Sequence, residues 1–191
     1  MANDTTRRLI LLRHAKSDWP DVPDQDRPLA KRGRRDAPRI GRWLHEHSYQ
    51  PDVVVCSAAL RTRQTWDLVA PELGGSPAVR FEPRAYAASA LTLLYLAQEL
   101  PTRYRTALFI AHNPGLSELA ASLAAPPGTA LGGPGMSAGM SLGMSRATDN
   151  GHHPSISLPT AGVAVVEFTG DWPSLTPAQA RLVSLTTPAD L

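Results

Sequence analysis

One cysteine in 191 residues, Cys56, excludes an intrachain disulfide, so packing and hydrogen bonds have to hold the fold. Excess charge of one sign is missing as well. The formal net charge of +2 lacks the clustered basic surplus of a nucleic-acid-binding or membrane-surface protein. No long hydrophobic run occurs: the polar stretch Met1 to Arg8 leads into Leu9-Ile10-Leu11-Leu12, too short for a membrane span or a signal core. These absences lead us to expect a cytoplasmic protein without a nucleic-acid or membrane partner. What is there suffices for a core, with 42% hydrophobic and 19% charged residues. The length suits a single domain over residues 1–191 with an embellishment.

Short apolar runs alternate with helical patterns. Leu9 to Leu12, Val53 to Cys56 and Ala107 to Ala111 are apolar throughout, as expected of parallel strands covered on both faces. Val163 to Val166 and Arg181 to Leu185 read as later strands, and Val79 to Phe81 as a further short one. Cys56 closes the second run and reads as a buried strand residue, the alternative being a catalytic thiol. Between about Arg35 and His47, Ala37, Ile40 and Leu44 share one helical face, and Pro38 places the start of regular helix near itself. The basic knot Lys31, Arg32, Arg34 and Arg35 reads as a solvated face. Ser57 and Ser89 are expected as N-caps of helices reaching Ala70 and Glu99, and Pro114 as the first residue of one ending at Leu123. The alternation predicts a three-layer α/β/α sandwich with a mainly parallel sheet.

Residues 126–155 break the pattern, holding seven of the 14 glycines and four of the 18 prolines. A Gly-Met-Ser repeat places Met136, Met140 and Met144 at fourfold spacing, but glycine every fourth residue weakens a helix by ~1 kcal/mol each. A low-complexity insertion is expected there, with a methionine ridge that binds a partner as the alternative.

The first strand runs directly into Arg13-His14-Ala15-Lys16-Ser17. Ligands of open α/β sheets gather at the carboxyl ends of strands. An imidazole there, beside a guanidinium, is able to attack phosphorus and divide one difficult displacement into two easier ones. Alone, an Arg-His pair reads as an ordinary surface pair. Yet the second strand ends at Ser57 with Arg61 in the first turn of the next helix, and the third ends at His112-Asn113-Pro114-Gly115. Three strand ends, far apart in sequence, thus supply Arg13 and His14, Arg61, and His112.

These segments resemble the histidine phosphatase superfamily, also called phosphoglycerate-mutase-like, and within it the small SixA-type phosphohistidine phosphatases. The resemblance rests on Leu11 to Ser17, Asp26-Arg27-Pro28-Leu29 with Arg32-Gly33, Ser57 to Thr65, His112 to Gly115, and Pro159-Thr160-Ala161-Gly162. It implies a phosphate pocket of Arg13, His14, Arg61 and His112, with His14 phosphorylated during turnover and His112 donating to a phosphoryl oxygen. Lys16, Ser17 and Asn113 are further substrate-contact candidates. No metal or other cofactor is implied, because guanidinium groups balance the phosphoryl charge. Flanking cations are expected to keep His14 neutral in the empty site.

Two departures bear on the substrate. Mutase-like relatives place an asparagine where this chain has Pro20, and larger relatives carry an acidic proton donor before the second histidine. In that interval the candidates are Asp67, Glu72, Glu82 and Glu99, with Glu82 best placed; Asp18, near His14, is another. A phosphohistidine relaxes the need for an acid, because its P–N bond is labile. A phosphohistidine protein is therefore the expected substrate and partner. The rivals are a small phosphorylated molecule and, in another class, an inactive phosphate-binding adaptor.

Overall fold

A computed structural model describes residues 5–126 and 156–191. The repeat with Met136, Met140 and Met144, and the pair His152-His153, lie outside the described residues. Six strands form the central sheet: β1 (Thr6–Arg13), β2 (Val53–Ser57), β3 (Ala78–Glu82), β4 (Thr106–Ala111), β5 (Val163–Thr169) and β6 (Arg181–Thr186). Their order is β3-β2-β4-β1-β5-β6. The first four run parallel, whereas β5 lies antiparallel to both β1 and β6.

Helices α1 (Lys31–Glu46) and α2 (Leu60–Leu73) cover one face, and α3 (Ala90–Gln98) and α4 (Gly115–Leu123) the other. Alternation along β1 divides the core between them. Leu9 and Leu11 pack with Leu93, Leu96, Leu116 and Leu119, while Ile10 and Leu12 pack with Ile40, Leu44, Trp66 and Val69. The predicted α/β/α sandwich is the observed one. Cys56 is fully buried on β2, and burial pushes its thiol up to about 12, which leaves it an unreactive core residue at neutral pH.

Two helix starts differ from expectation by more than one residue, and Pro114 is the N-cap of α4 rather than its first residue. α1 begins at Lys31, seven residues before Pro38, so that proline lies within the helix. The early start lets Gly33 dock on the chain just after β1: a Cβ there would stand 2.2 Å from the Lys16 carbonyl oxygen. Lys31, Arg32, Arg34 and Arg35 are exposed, as a solvated face requires. α2 begins at Leu60 behind Ala59, with no side-chain cap. Ser57 instead ends β2 and sends its hydroxyl toward another partner. Ser89 does cap α3, accepting from the Thr92 amide at 3.2 Å.

Gly33→Ala is expected to cost about 1–3 kcal/mol, since only backbone faces the new methyl group, and to lower Tm by roughly 3–10 °C. Thermal denaturation followed by circular dichroism checks this, and an unshifted midpoint would refute the close approach.

Candidate active site

The carboxyl ends of β1, β2 and β4 lie side by side, and Arg13, Arg61 and the two predicted histidines meet there. His14 follows the last residue of β1 and is held by three separate segments. Its amide donates to the Ala111 carbonyl at the end of β4 (3.1 Å), and its carbonyl accepts from the Ala161 amide (3.1 Å). The next amide, of Ala15, donates to Thr65 Oγ1 on α2 at 3.0 Å. So braced, the imidazole has little room to shift.

His14 is 8% exposed, with Nδ1 2.8 Å from the Ala15 carbonyl oxygen. A carbonyl only accepts, so the proton sits on Nδ1 and Nε2 keeps its lone pair. The ring's pKa is pushed down to about 4, chiefly by burial, against the opposing Ala15 bond and with added repulsion from Arg61, Arg13 and Arg27. Burial, rather than the flanking cations, is thus the main reason the ring is neutral.

A cavity of about 220 Å³ opens beside it, lined by Arg13, His14, Lys16, Ser17, Trp19, Arg27, Arg61 and Thr160. Arg13 donates to the Leu158 carbonyl at 3.0 Å, and its buried Nε has no partner among the described residues. The Arg61 side chain, 8% exposed, meets the Asp24 carboxylate at 2.9 Å and the Asp24 carbonyl at 2.5 Å. Lys16 is exposed, whereas Ser17 is buried with its Oγ accepting from Arg27 at 2.9 Å.

His112 stands beside His14, the ring centroids 5.1 Å apart, but does not itself line the cavity. Its Nε2 lies 2.8 Å from Ser57 Oγ, and its buried Nδ1 has no partner among the described residues. Burial, then repulsion from His14 and Arg61, pushes its pKa down to about 3.

Three predicted residues sit elsewhere. Asn113 donates to the Leu158 carbonyl at 2.8 Å, the acceptor also used by Arg13, and so ties down the chain behind the cavity. Asp18 is exposed and accepts from the Trp19 amide at 2.9 Å. Glu82 is buried in ion pairs with Arg80 and Arg84, and bonds from the Arg84 side chain, then the Arg80 side chain and the Arg84 amide, take its pKa down to about 2 against the opposing effect of burial. Near neutrality Glu82 carries no proton to give, so the acid role expected of it is corrected. Neither Glu82 nor its two arginine partners lines the cavity.

Sequence reasoning missed Asp24, Arg27 and Tyr86. Arg27 lay within a quoted motif, but without a role. Its guanidinium donates to Ser17 Oγ, the Asp18 carbonyl and Asp24 Oδ1, all within 3.0 Å, and stacks 3.2 Å from the Trp19 ring centroid. Asp24 also accepts from the Tyr86 hydroxyl at 2.6 Å. Bonds from Tyr86, Arg27 and Arg61, in that order, hold its carboxyl far below the usual carboxylate range. Among the described residues no group of three or more His, Cys, Asp or Glu side chains is placed to hold a metal ion.

Because both buried histidines have depressed folded-state pKa values, the unfolded chain binds protons more readily below about pH 6.5. Their contribution to stability is complete above that pH and is lost as pH falls toward about 4 for His14 and about 3 for His112. We expect Tm to fall on acidification from pH 7.5 to pH 5, and less steeply in His14→Ala. Equal slopes for the two proteins would remove His14 from this account.

The sequence profile of the histidine phosphatase superfamily (branch 1) matches residues 9–85. The uncharacterized protein Rv1276c of Mycobacterium tuberculosis is 34% identical over 178 residues, covering 93% of this chain and 99% of its own. The uncharacterized protein ML1117 of Mycobacterium leprae is 30% identical over 182 residues, covering 93% and 99%. Among solved structures, a proposed phosphohistidine phosphatase SixA from Nakamurella multipartitia superimposes with a TM-score of 0.76 at 29% identity, covering 96% of each chain. The mycobacterial glucosyl-3-phosphoglycerate phosphatase Rv2419c shares the fold, with a TM-score of 0.61 at 17% identity, covering 93% of this chain and 97% of its own. With the profile match running from β1 through β3, and relatives at 30% identity or more aligned over 93% of the chain, this chain belongs to the histidine phosphatase superfamily.

Proposed function

We propose that the chain is a phosphatase that takes a phosphoryl group onto Nε2 of His14, and that its substrate is phosphohistidine on a protein. The observation that carries this reading is the His14 tautomer. The Ala15 carbonyl binds the Nδ1 proton and leaves the Nε2 lone pair free beside an arginine-lined cavity. In the first step Nε2 forms a bond to phosphorus as the substrate's P–N bond breaks. A substrate ring already protonated on its second nitrogen then leaves as neutral imidazole. In the second step water attacks phosphorus, the P–Nε2 bond breaks, and inorganic phosphate departs with the water's oxygen. Throughout, Nδ1 keeps its proton and the Ala15 carbonyl stabilises the cationic phosphorylated ring.

Arg13 and Arg61 are assigned to the equatorial phosphoryl oxygens, with Lys16 and Ser17 at the wall of the same cavity. His112, whose buried Nδ1 has no partner among the described residues, is assigned as a donor once an anion is bound and raises its basicity. The choice of substrate follows from the carboxylates. Asp24 is held ionised by Tyr86, Arg27 and Arg61 and Glu82 by Arg84 and Arg80, and Asp18 is exposed, so none of these candidate carboxyl groups is ready to protonate an alkoxide. An alkyl ester needs such a proton, whereas a protonated phosphohistidine does not.

The test compares kcat/KM for a phosphohistidine protein, phosphoserine and phenyl phosphate. We expect the phosphohistidine protein to lead and phosphoserine to trail. Fastest turnover of phosphoserine would replace this reading with that of a small-molecule phosphomonoesterase, and phosphate binding with no turnover would leave the adaptor.

A further inference from the structure

The strap between Ser17 and Arg27 begins and ends in the cavity wall, and it reads Asp18-Trp19-Pro20-Asp21-Val22-Pro23-Asp24-Gln25-Asp26. It carries four carboxylates and no cation, beside a cavity whose charged lining is entirely basic. All four of these aspartates are exposed. The strap is also fastened. Asp24 Oδ2 bonds Arg61 and Tyr86, Oδ1 bonds Arg27, and the Asp24 carbonyl bonds Arg61. Among the described residues, Asp24 is the only carboxylate paired with either guanidinium. Its side chain is 50% exposed and theirs are 8%, so the anion stands on the solvent side of the cations.

We propose that this fastened acidic strap, with Asp24 as its anchor, selects substrates by the charge of the leaving group, admitting neutral or cationic groups and disfavouring anionic ones. The inner arginines meet the phosphoryl oxygens, while whatever the phosphorus is attached to must pass the strap. A leaving group with its own carboxylate or second phosphate meets Asp24 and its neighbours, and one with a positive charge is drawn toward them. The exposed Trp19 ring, stacked on Arg27 on one side, stands in the same rim and offers an apolar surface to a planar group. The inference rests on reading Arg13, His14 and Arg61 as the phosphoryl site, but not on phosphohistidine itself.

The experiment uses three benzyl-type aryl phosphates that differ only in a remote substituent on a methylene spacer: trimethylammonium, hydrogen or carboxylate. kcat/KM is measured on each for the wild type, Asp24→Asn and the double variant Asp21→Asn, Asp26→Asn. The ratio of cationic to anionic substrate, compared between proteins, cancels the intrinsic reactivity of the leaving groups. We expect that ratio to fall about tenfold in Asp24→Asn, and about threefold in the double variant, which touches neither arginine. Asp24→Glu, which restores the charge, should recover most of the wild-type ratio. A uniform loss on all three substrates in Asp24→Asn, with no change of ratio in either variant, would mean that Asp24 only positions Arg61, and would overturn the inference. So would a wild type that turns over none of the three. Failure on a phosphohistidine protein with a shifted ratio would remove only the phosphohistidine reading.

Discussion

Replacing His14 with alanine should lower kcat by about 10⁴-fold or more, because the variant has no atom on which to carry the phosphoryl group. The loss should appear in kcat and kcat/KM together, since binding of the anion by the arginines remains. Folding should survive. Among the described residues the imidazole's hydrogen bond is to its own neighbour, the Ala15 carbonyl, and the backbone beneath is held by bonds to Ala111 and Ala161. The check has two parts: steady-state turnover with circular dichroism, and acid-quenched trapping of radiolabelled phosphate on the protein. Wild type should carry label on His14 and the variant none. Turnover within tenfold of wild type, or label on another residue, would end the proposed chemistry.

Much of the fold was legible because β1, β2 and β4 are central parallel strands. Buried on both faces, they require apolar residues at consecutive positions, and few other elements do. Arg13, His14, Arg61 and His112 were legible for a related reason: each sits at or just beyond the end of such a strand, and their convergence follows from the sheet order. Peripheral elements were less so. The start of α1 escaped because Pro38 suggested a first turn, whereas the docking of Gly33 on Lys16 is a tertiary contact with no local pattern. Ser57 had the composition of an N-cap, but its hydroxyl is used 55 residues away by His112.

The acid assignment failed on neighbours. Glu82 looked well placed after a short strand, yet Arg80 and Arg84, two residues to either side, both turn back onto it. Asp24 gave no signal at all. Its partners Arg61 and Tyr86 lie 37 and 62 residues further on, and a 3-10 turn in a polar strap offers no periodicity to read. What could have found it is charge: a run of aspartates directly before the Arg27 motif, in a chain whose proposed ligand is an anion.

Arg61→Met should lower kcat/KM by about 10²–10³-fold, the loss expected on removing one aligned donor to a developing oxyanion. The side chain is 8% exposed, and Asp24 binds its Nη1 and Nη2 from one side, which leaves Nε and the remaining N–H groups for an anion. Methionine keeps the length and packing of the stem but removes every donor. Arg61→Lys restores a charge without the planar fork. A single ammonium then has to serve both the Asp24 carboxylate and the phosphoryl oxygens, so the lysine variant should recover at most about a tenth of wild-type kcat/KM. If Arg61 acts in the transition state, kcat falls with kcat/KM; if it only captures substrate, KM rises while kcat holds. We expect the first pattern, because His14 already faces the cavity and a planar guanidinium fork fits the trigonal array of oxygens that forms while phosphorus is in flight. Measuring kcat and KM for both variants on phenyl phosphate, with the inhibition constant of vanadate beside them, decides the matter. Near-wild-type kcat in Arg61→Met would place the guanidinium in the service of Asp24 and the strap alone, and leave Arg13 as the cation at the reacting phosphorus.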